Sequence, residues 1–195
     1  MTSLATHLQP FDWETIDNGL YDWLVDLLDV SVIWANQNVP QPDYPYLSLT
    51  RESVVILGGV PEKRYTTDLS QPAGQEIEIE STSMTEFTLS IQAHVDAGAG
   101  ANDPMCNAIA LLNKVRASLG MLSHQRNFQD NLGLAIVQEM AVQDISVVVN
   151  DEWISRALFD VRLRTRSVMT ERTGYTDKVN LVSSQLGVDL LVDAS

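Results

Sequence analysis

Cysteine is almost missing from this chain: Cys106 is the only one in 195 residues. A lone thiol closes no internal disulfide and builds no thiolate metal site, which fits a reducing cytosol, and free cysteine is generally a buried packing residue. Histidine is scarce too, and the three copies, His7, His94 and His124, are too scattered for spacing to bring one to a nucleophile or a metal. Positive charge is in short supply, with 12 Lys and Arg against 26 Asp and Glu and a formal net charge of −14. That balance disfavours gripping naked nucleic acid through its phosphates. No apolar run approaches the roughly 20 residues that span a bilayer, and Met1–Pro10 lacks the basic start and apolar centre of a signal peptide. The expectation is a soluble, unexported protein with no membrane partner.

Motifs that carry chemistry are also lacking. No glycine-rich phosphate loop follows a strand, no nucleophile elbow is present, and no His pair has metal-ligand spacing. Gly58-Gly59 leads into Val-Pro without the Lys and helix start that a phosphate cradle needs. The reading is therefore of a non-enzyme, with no catalytic residue, no cofactor and no metal.

What remains is an ordinary globular composition, 45% hydrophobic and 19% charged, enough for one good core in a single domain over 1–195. After Asp12, a candidate N-cap, apolar residues fall at Trp13, Ile16, Leu20, Trp23, Leu24, Leu27 and Leu28, the spacing of an amphipathic helix. Gly19 weakens that helix by about 1 kcal/mol relative to Ala, so its apolar face must be held by packing. Val30–Trp34 reads as a short buried strand and Tyr46–Leu57 as another, ended by Gly58-Gly59 and Pro61, with 63–75 as a loop. Between the two strands, Pro40, Pro42 and Pro45 remove backbone donors and favour extended neighbours, so 36–45 is expected to be a stiff, exposed arm carrying Tyr44.

Ile77 to Val95 alternates apolar and polar, and a hairpin turn is expected near 81–85 because one strand of that length exceeds the usual range. Residues 96–102 read as a flexible connection. Asn102, Asp103 and Pro104 then give a capped start to a second helix, running through Met105, Ile109, Leu112, Val115 and Leu119 to Gly120. His94 belongs to the polar face of its strand, while His7 and His124 fall in expected loops. Leu134–Glu139 and Ile145–Val149 are short β-like runs, the second readable also as a helical turn. From Ile154 to Met169 a long strand is expected, with Ala157, Phe159, Val161 and Leu163 on one face and Arg156, Arg162, Arg164 and Arg166 on the other. Near the end, Leu186, Val188, Leu190 and Val192 suggest a last strand, or a C-terminal tail at 183–195 that pairs with another subunit. The sum is an α+β fold: a mixed, mainly antiparallel sheet with two packed helices and extended arms.

Two charged strands stand out. Glu76, Glu78 and Glu80 share a face by their period of two. Paired carboxylates serve glycosidases and divalent ions, but their separation is unreadable from one strand, and a solvated rim is the simpler reading. The four arginines at 156, 162, 164 and 166 find their simplest role in ion pairs, within the chain or across a subunit boundary, ahead of contact with DNA. Together with Pro40, Pro42 and Tyr44, these residues form the expected subunit-interface set.

Several segments occur in an order that is specific as a combination. They are Val32-Ile-Trp-Ala-Asn-Gln-Asn-Val-Pro40 with Pro45-Tyr-Leu-Ser-Leu49, Phe87-Thr-Leu-Ser-Ile-Gln92, Gly133-Leu-Ala-Ile-Val137, Val142-Gln-Asp-Ile-Ser146 and Arg156-Ala-Leu-Phe-Asp-Val-Arg-Leu-Arg164. Over roughly 12–182 the chain resembles the neck or tail terminator proteins of contractile-tailed bacteriophages. That resemblance implies a structural virion protein, assembled in the host cytoplasm, forming a homo-oligomeric ring, usually of six copies. Such a ring caps the tail tube, stops its polymerisation and joins it to the head-proximal connector protein, with the sheath as a further neighbour. DNA would pass through the channel without specific binding. The alternatives are another neck component, a stopper or an adaptor, or an acidic small-molecule-binding or hydrolytic domain, which would show clustered titratable groups in a cleft.

Overall fold

The computed structural model describes residues 7–9, 12–37, 40–72, 75–96, 107–149, 152–174, 178–183 and 188–193. Asn102–Pro104, Cys106 and most of the 96–102 connection lie outside them. The chain forms two compact units, one of Phe11–Gly59 with Ser83–Ser167 and one of Met1–Pro10, Val60–Thr82 and Val168–Ser195.

Among the described residues the larger unit holds three helices. Helix α1 (Trp13–Leu28) starts as the sequence predicts, with the Asp12 carboxylate accepting the Thr15 amide at 3.2 Å, and buries Ile16, Leu20, Trp23, Leu24 and Leu28. Helix α2 (Ala108–Leu119) is capped by Asn107, whose side chain accepts the Ile109 amide at 2.9 Å, and ends at Gly120. The segment around His124, expected as loop, is instead a third helix, α3 (Leu122–Leu132). Its single fully buried residue, Phe128, meets Trp23 edge to face at 5.0 Å. Gly19 acquires a reason here: a Cβ on it would overlap the methyls of Leu132, which pack directly onto the α1 backbone at this point.

Strand β2 (Ser31–Trp34) runs parallel to β3 (Tyr46–Thr67), with Ser31 opposite Tyr46 and Trp34 opposite Leu49. The proline-rich segment is thus the crossover of a parallel pair, returning the chain to the same end of the sheet without a helix. Strand β4 (Ile77–Asp96) follows, then the short strands β5 (Leu134–Glu139), β6 (Gln143–Asp144) and β7 (Val147–Val149), and then β8 (Glu152–Thr173). The order across the sheet is β8-β4-β3-β2, and β5, β6 and β7 each pair antiparallel with β8. Leu47, Leu49, Phe87, Leu89, Ile91, Ala157, Phe159, Val161 and Leu163 form the sheet's side of the core beneath the helices.

Two expected boundaries are overturned. Residues 81–85 are no turn, because β4 continues through them as a strand hydrogen-bonded to two neighbours of 22 residues each. Gly58-Gly59 and Pro61 do not end β3, and 63–67 are strand rather than loop. An edge strand tolerates proline because one side of it needs no donor. The connection between β3 and β4 is closed by the Asp68 amide donating to Glu76 O at 2.7 Å, with the Asp68 carboxylate accepting the Ser70 amide at 3.0 Å.

The smaller unit contains the far stretches of β3, β4 and β8. Strand β1 (His7–Gln9) pairs antiparallel with β8, His7 opposite Thr170, so His7 is in a strand and not a loop. Strands β9 (Lys178–Ser183) and β10 (Val188–Asp193) form a separate two-stranded antiparallel sheet. The fold class is α+β with a mixed, mainly antiparallel sheet, as the patterning predicts, and the described residues include three helices.

Candidate functional site

Alternation along β8 sends Ala157, Phe159, Val161 and Leu163 into the core and turns Arg156, Arg162, Arg164 and Arg166 to the opposite face. There the cations meet an acid on the adjacent strand. Arg164 donates from Nε and Nη2 to Oε2 of Glu86 at 3.3 and 2.9 Å, and Arg162 Nε lies 3.4 Å from Oε1 of the same carboxylate. Glu86 is enclosed, with its side chain 15% exposed against 40% and 42% for the two arginines. One carboxylate thus spaces two guanidiniums along the strand, and replacing both with Glu would crowd three acids at one point. Arg166 is exposed and also engages a neighbour.

Further along this face Arg156 Nη2 donates to Gln92 Oε1 at 3.0 Å. Beside it His94 is buried although it occupies the polar face of β4: Tyr46 stacks on the imidazole at 4.5 Å and 6°, and Ser48 Oγ sits 2.9 Å from Nε2. Burial and then the Arg156 charge lower its pKa to about 4, so the ring is neutral at pH 7. Tyr44 lies 5.5 Å from Tyr46 and receives a hydrogen bond on its hydroxyl from Gln41 Nε2 at 3.0 Å. A continuous strip therefore links the proline crossover, through Tyr44, Tyr46 and His94, to the arginine face. Pro40 is exposed and Pro42 half-exposed in the same connection as Tyr44.

The glutamate strand belongs to the smaller unit, where Arg172 donates from Nε and Nη2 to Glu78 Oε2 at 3.0 and 2.8 Å and from Nη1 to Gln71 Oε1 at 3.2 Å. Glu76 and Glu80 are half-buried and likewise engage neighbours. Glu86 is thus the partner of Arg162 and Arg164, Gln92 that of Arg156, and Arg172 that of Glu78. Glu86 was within reach of the sequence, since the alternation around Phe87 puts it on the polar face of β4, but only with the β4–β8 register known.

A groove of about 590 Å3 lies between α1 and the outer side of β2, lined in part by Glu14, Asp17, Tyr21, Val32 and Trp34. Burial raises the Asp17 pKa, against the pull of Arg51, whose Nη2 lies 2.6 Å from its Oδ1 and whose guanidinium stands 3.8 Å over the Trp13 ring. This groove does not assemble a nucleophile with a base. Among the described residues no three His, Cys, Asp or Glu side chains cluster as a metal would need, and no helix is long and apolar enough to cross a membrane.

The surface also carries large apolar side chains. Val148 and Trp153, each 55% exposed, face one another across the β7–β8 hairpin, and Val54, Val55 and Ile56 are 52%, 52% and 67% exposed in succession on β3. Such groups, with forked ion pairs and an aromatic strip, are the features of a contact surface. No curated protein matches the sequence. Residues 14–188 match the family described as phage neck terminator protein. The match covers well over half of the chain, so this protein belongs to the phage neck terminator family and is a structural component of the virion's tail and neck.

Proposed function

We propose that copies of this chain assemble into a ring, six to a ring, that caps the tail tube of a contractile tail, ends its polymerisation and joins it to the head-proximal connector. The observation that carries this reading is family membership over residues 14–188. The surface supports it: a heterologous ring needs different patches of one chain to meet, and the chain offers the arginine face, the Tyr44 strip at the proline crossover and exposed strands. Arg156, Arg162, Arg164, Arg166, Tyr44, Pro40 and Pro42 are the contact set proposed on the larger unit, and Glu76, Glu78 and Glu80 on the smaller. DNA passes through the channel without being held, because a chain of net charge −14 repels phosphate. The ring assembles in the host cytoplasm and becomes the head-proximal end of the tail, in contact with tube and sheath.

The test is assembly with and without tail tubes. Arg166→Glu reverses an exposed charge and leaves Arg162, Arg164 and Glu86 in place; the variant, checked for folding by circular dichroism, should lose or weaken ring formation. Rings unchanged by Arg166→Glu and by Tyr44→Ala together would remove this face from the interface.

A further inference from the structure

The two edges of the main sheet are finished differently. The outer edge of β8 is occupied by β7 at 152–154, β6 at 157–158, β5 at 161–165 and β1 at 168–170. The outer edge of β3 carries β2 only opposite Tyr46–Leu49, and among the described residues no strand lies along it from Thr50 to Thr67. Bare edges are usually guarded by charge or proline. Residues 61–64, Pro-Glu-Lys-Arg, carry such a guard, whereas 53–58, Ser-Val-Val-Ile-Leu-Gly, carry neither. Val54, Val55 and Ile56 are all more than half exposed, and successive strand residues point to opposite faces. This stretch is therefore apolar and uncovered on both sides, and positive φ at Ser53 (51°) and Gly58 (87°) sets it off from the strand before and after.

The same chain holds a strand with a matching pattern. Among the described residues β10 pairs with β9 alone, from Val188 opposite Ser183 to Asp193 opposite Lys178. A lone two-stranded hairpin is marginal in water. β10 reads Val-Asp-Leu-Leu-Val-Asp, six residues to match the six of 53–58, and Leu190, Leu191 and Val192 are three apolar residues in succession, as Val54–Ile56 are. β9 has no such run, since Asn180 breaks it.

We infer that β10 of one copy adds as a strand to the bare edge of β3 at Ser53–Gly58 in the next copy. The inference rests on the ring reading and specifies its contact. Backbone hydrogen bonds supply the affinity and the two-faced apolar side chains fix the position. Donor and acceptor are different patches of one chain, so the contact is head-to-tail and closes into a ring where its rotation allows.

The experiment uses two full-length variants. Val55→Lys with Ile56→Lys guards the acceptor edge, and Leu190→Lys with Leu191→Lys guards the donor. Each alone should remain folded by circular dichroism and monomeric by native mass spectrometry. Mixed, they should form a one-to-one dimer and stop there, because one intact donor meets one intact acceptor. Variants that still form wild-type rings, or a mixture that stays monomeric, would overturn strand addition while leaving the ring standing. A wild type that never assembles would instead remove the ring reading, and this contact with it. Should a double variant unfold, the single substitutions Ile56→Lys and Leu191→Lys repeat the same mixing test.

Discussion

Acid should weaken this protein through His94. In the unfolded chain the imidazole takes up its proton near pH 6.5, and in the native protein, buried under Tyr46 and beside Arg156, only near pH 4. Between those values the unfolded state binds more protons, so stability is present above pH 6.5 and is lost as pH falls toward 4. At about 1.4 kcal/mol per pKa unit, going from pH 7 to pH 5 removes about 2 kcal/mol, nearer 1 once partial solvent screening is allowed for. The assay is urea unfolding at pH 7 and pH 5 for the wild type and for His94→Gln at equal protein concentration. Gln keeps an amide for Ser48 and does not titrate, and the carboxylates common to both proteins cancel in the comparison. With a slope of about 2 kcal/mol per molar urea, the wild-type midpoint should fall by about 0.5 M more than that of His94→Gln. Parallel profiles would refute the burial argument.

Three further outcomes follow from the packing. Phe128→Ala should cost about 3–4 kcal/mol in urea unfolding, because Phe128 is the one fully buried residue of α3 and its ring closes on Trp23. Gly19→Ile should destabilise by about 2 kcal/mol, since any branch at that position drives into Leu132, and Leu132→Ala in the same chain should recover part of the loss. Glu86→Gln should cost about 1 kcal/mol at low salt and less in high salt, as the carboxylate that separates Arg162 from Arg164 loses its charge.

The larger unit was legible where one local rule acted alone. Asp12 and the spacing from Trp13 to Leu28 announce α1, and the alternation from Ala157 to Leu163 announces β8. Where several elements act together, the sequence misleads. Ser81–Thr85 has turn chemistry but stays in strand because β3 and β8 flank it, so pairing on both sides overrides a weak preference. Pro61 reads as a breaker, yet β3 is an edge there and continues. α3 was missed because Leu122–Leu132 is mostly polar and fully buries only Phe128, so its apolar face rests on very few residues. The parallel pairing of β2 with β3 hides behind a connection that reads as an arm. At the site, the arginines were visible as a pattern while their partner was not: Glu86 is 78 positions from Arg164, and only the β4–β8 register joins them. His94 was placed on the right face, but nothing local says that Tyr46 covers it.

The central claim is a ring that closes the tail tube. Its most direct test is native mass spectrometry and negative-stain imaging of the purified chain with and without isolated tail tubes. Six copies of the 21.6 kDa chain in a ring, seated on tube ends and halting their growth, is the predicted result. A monomer or compact dimer that leaves tube ends free to elongate would contradict it.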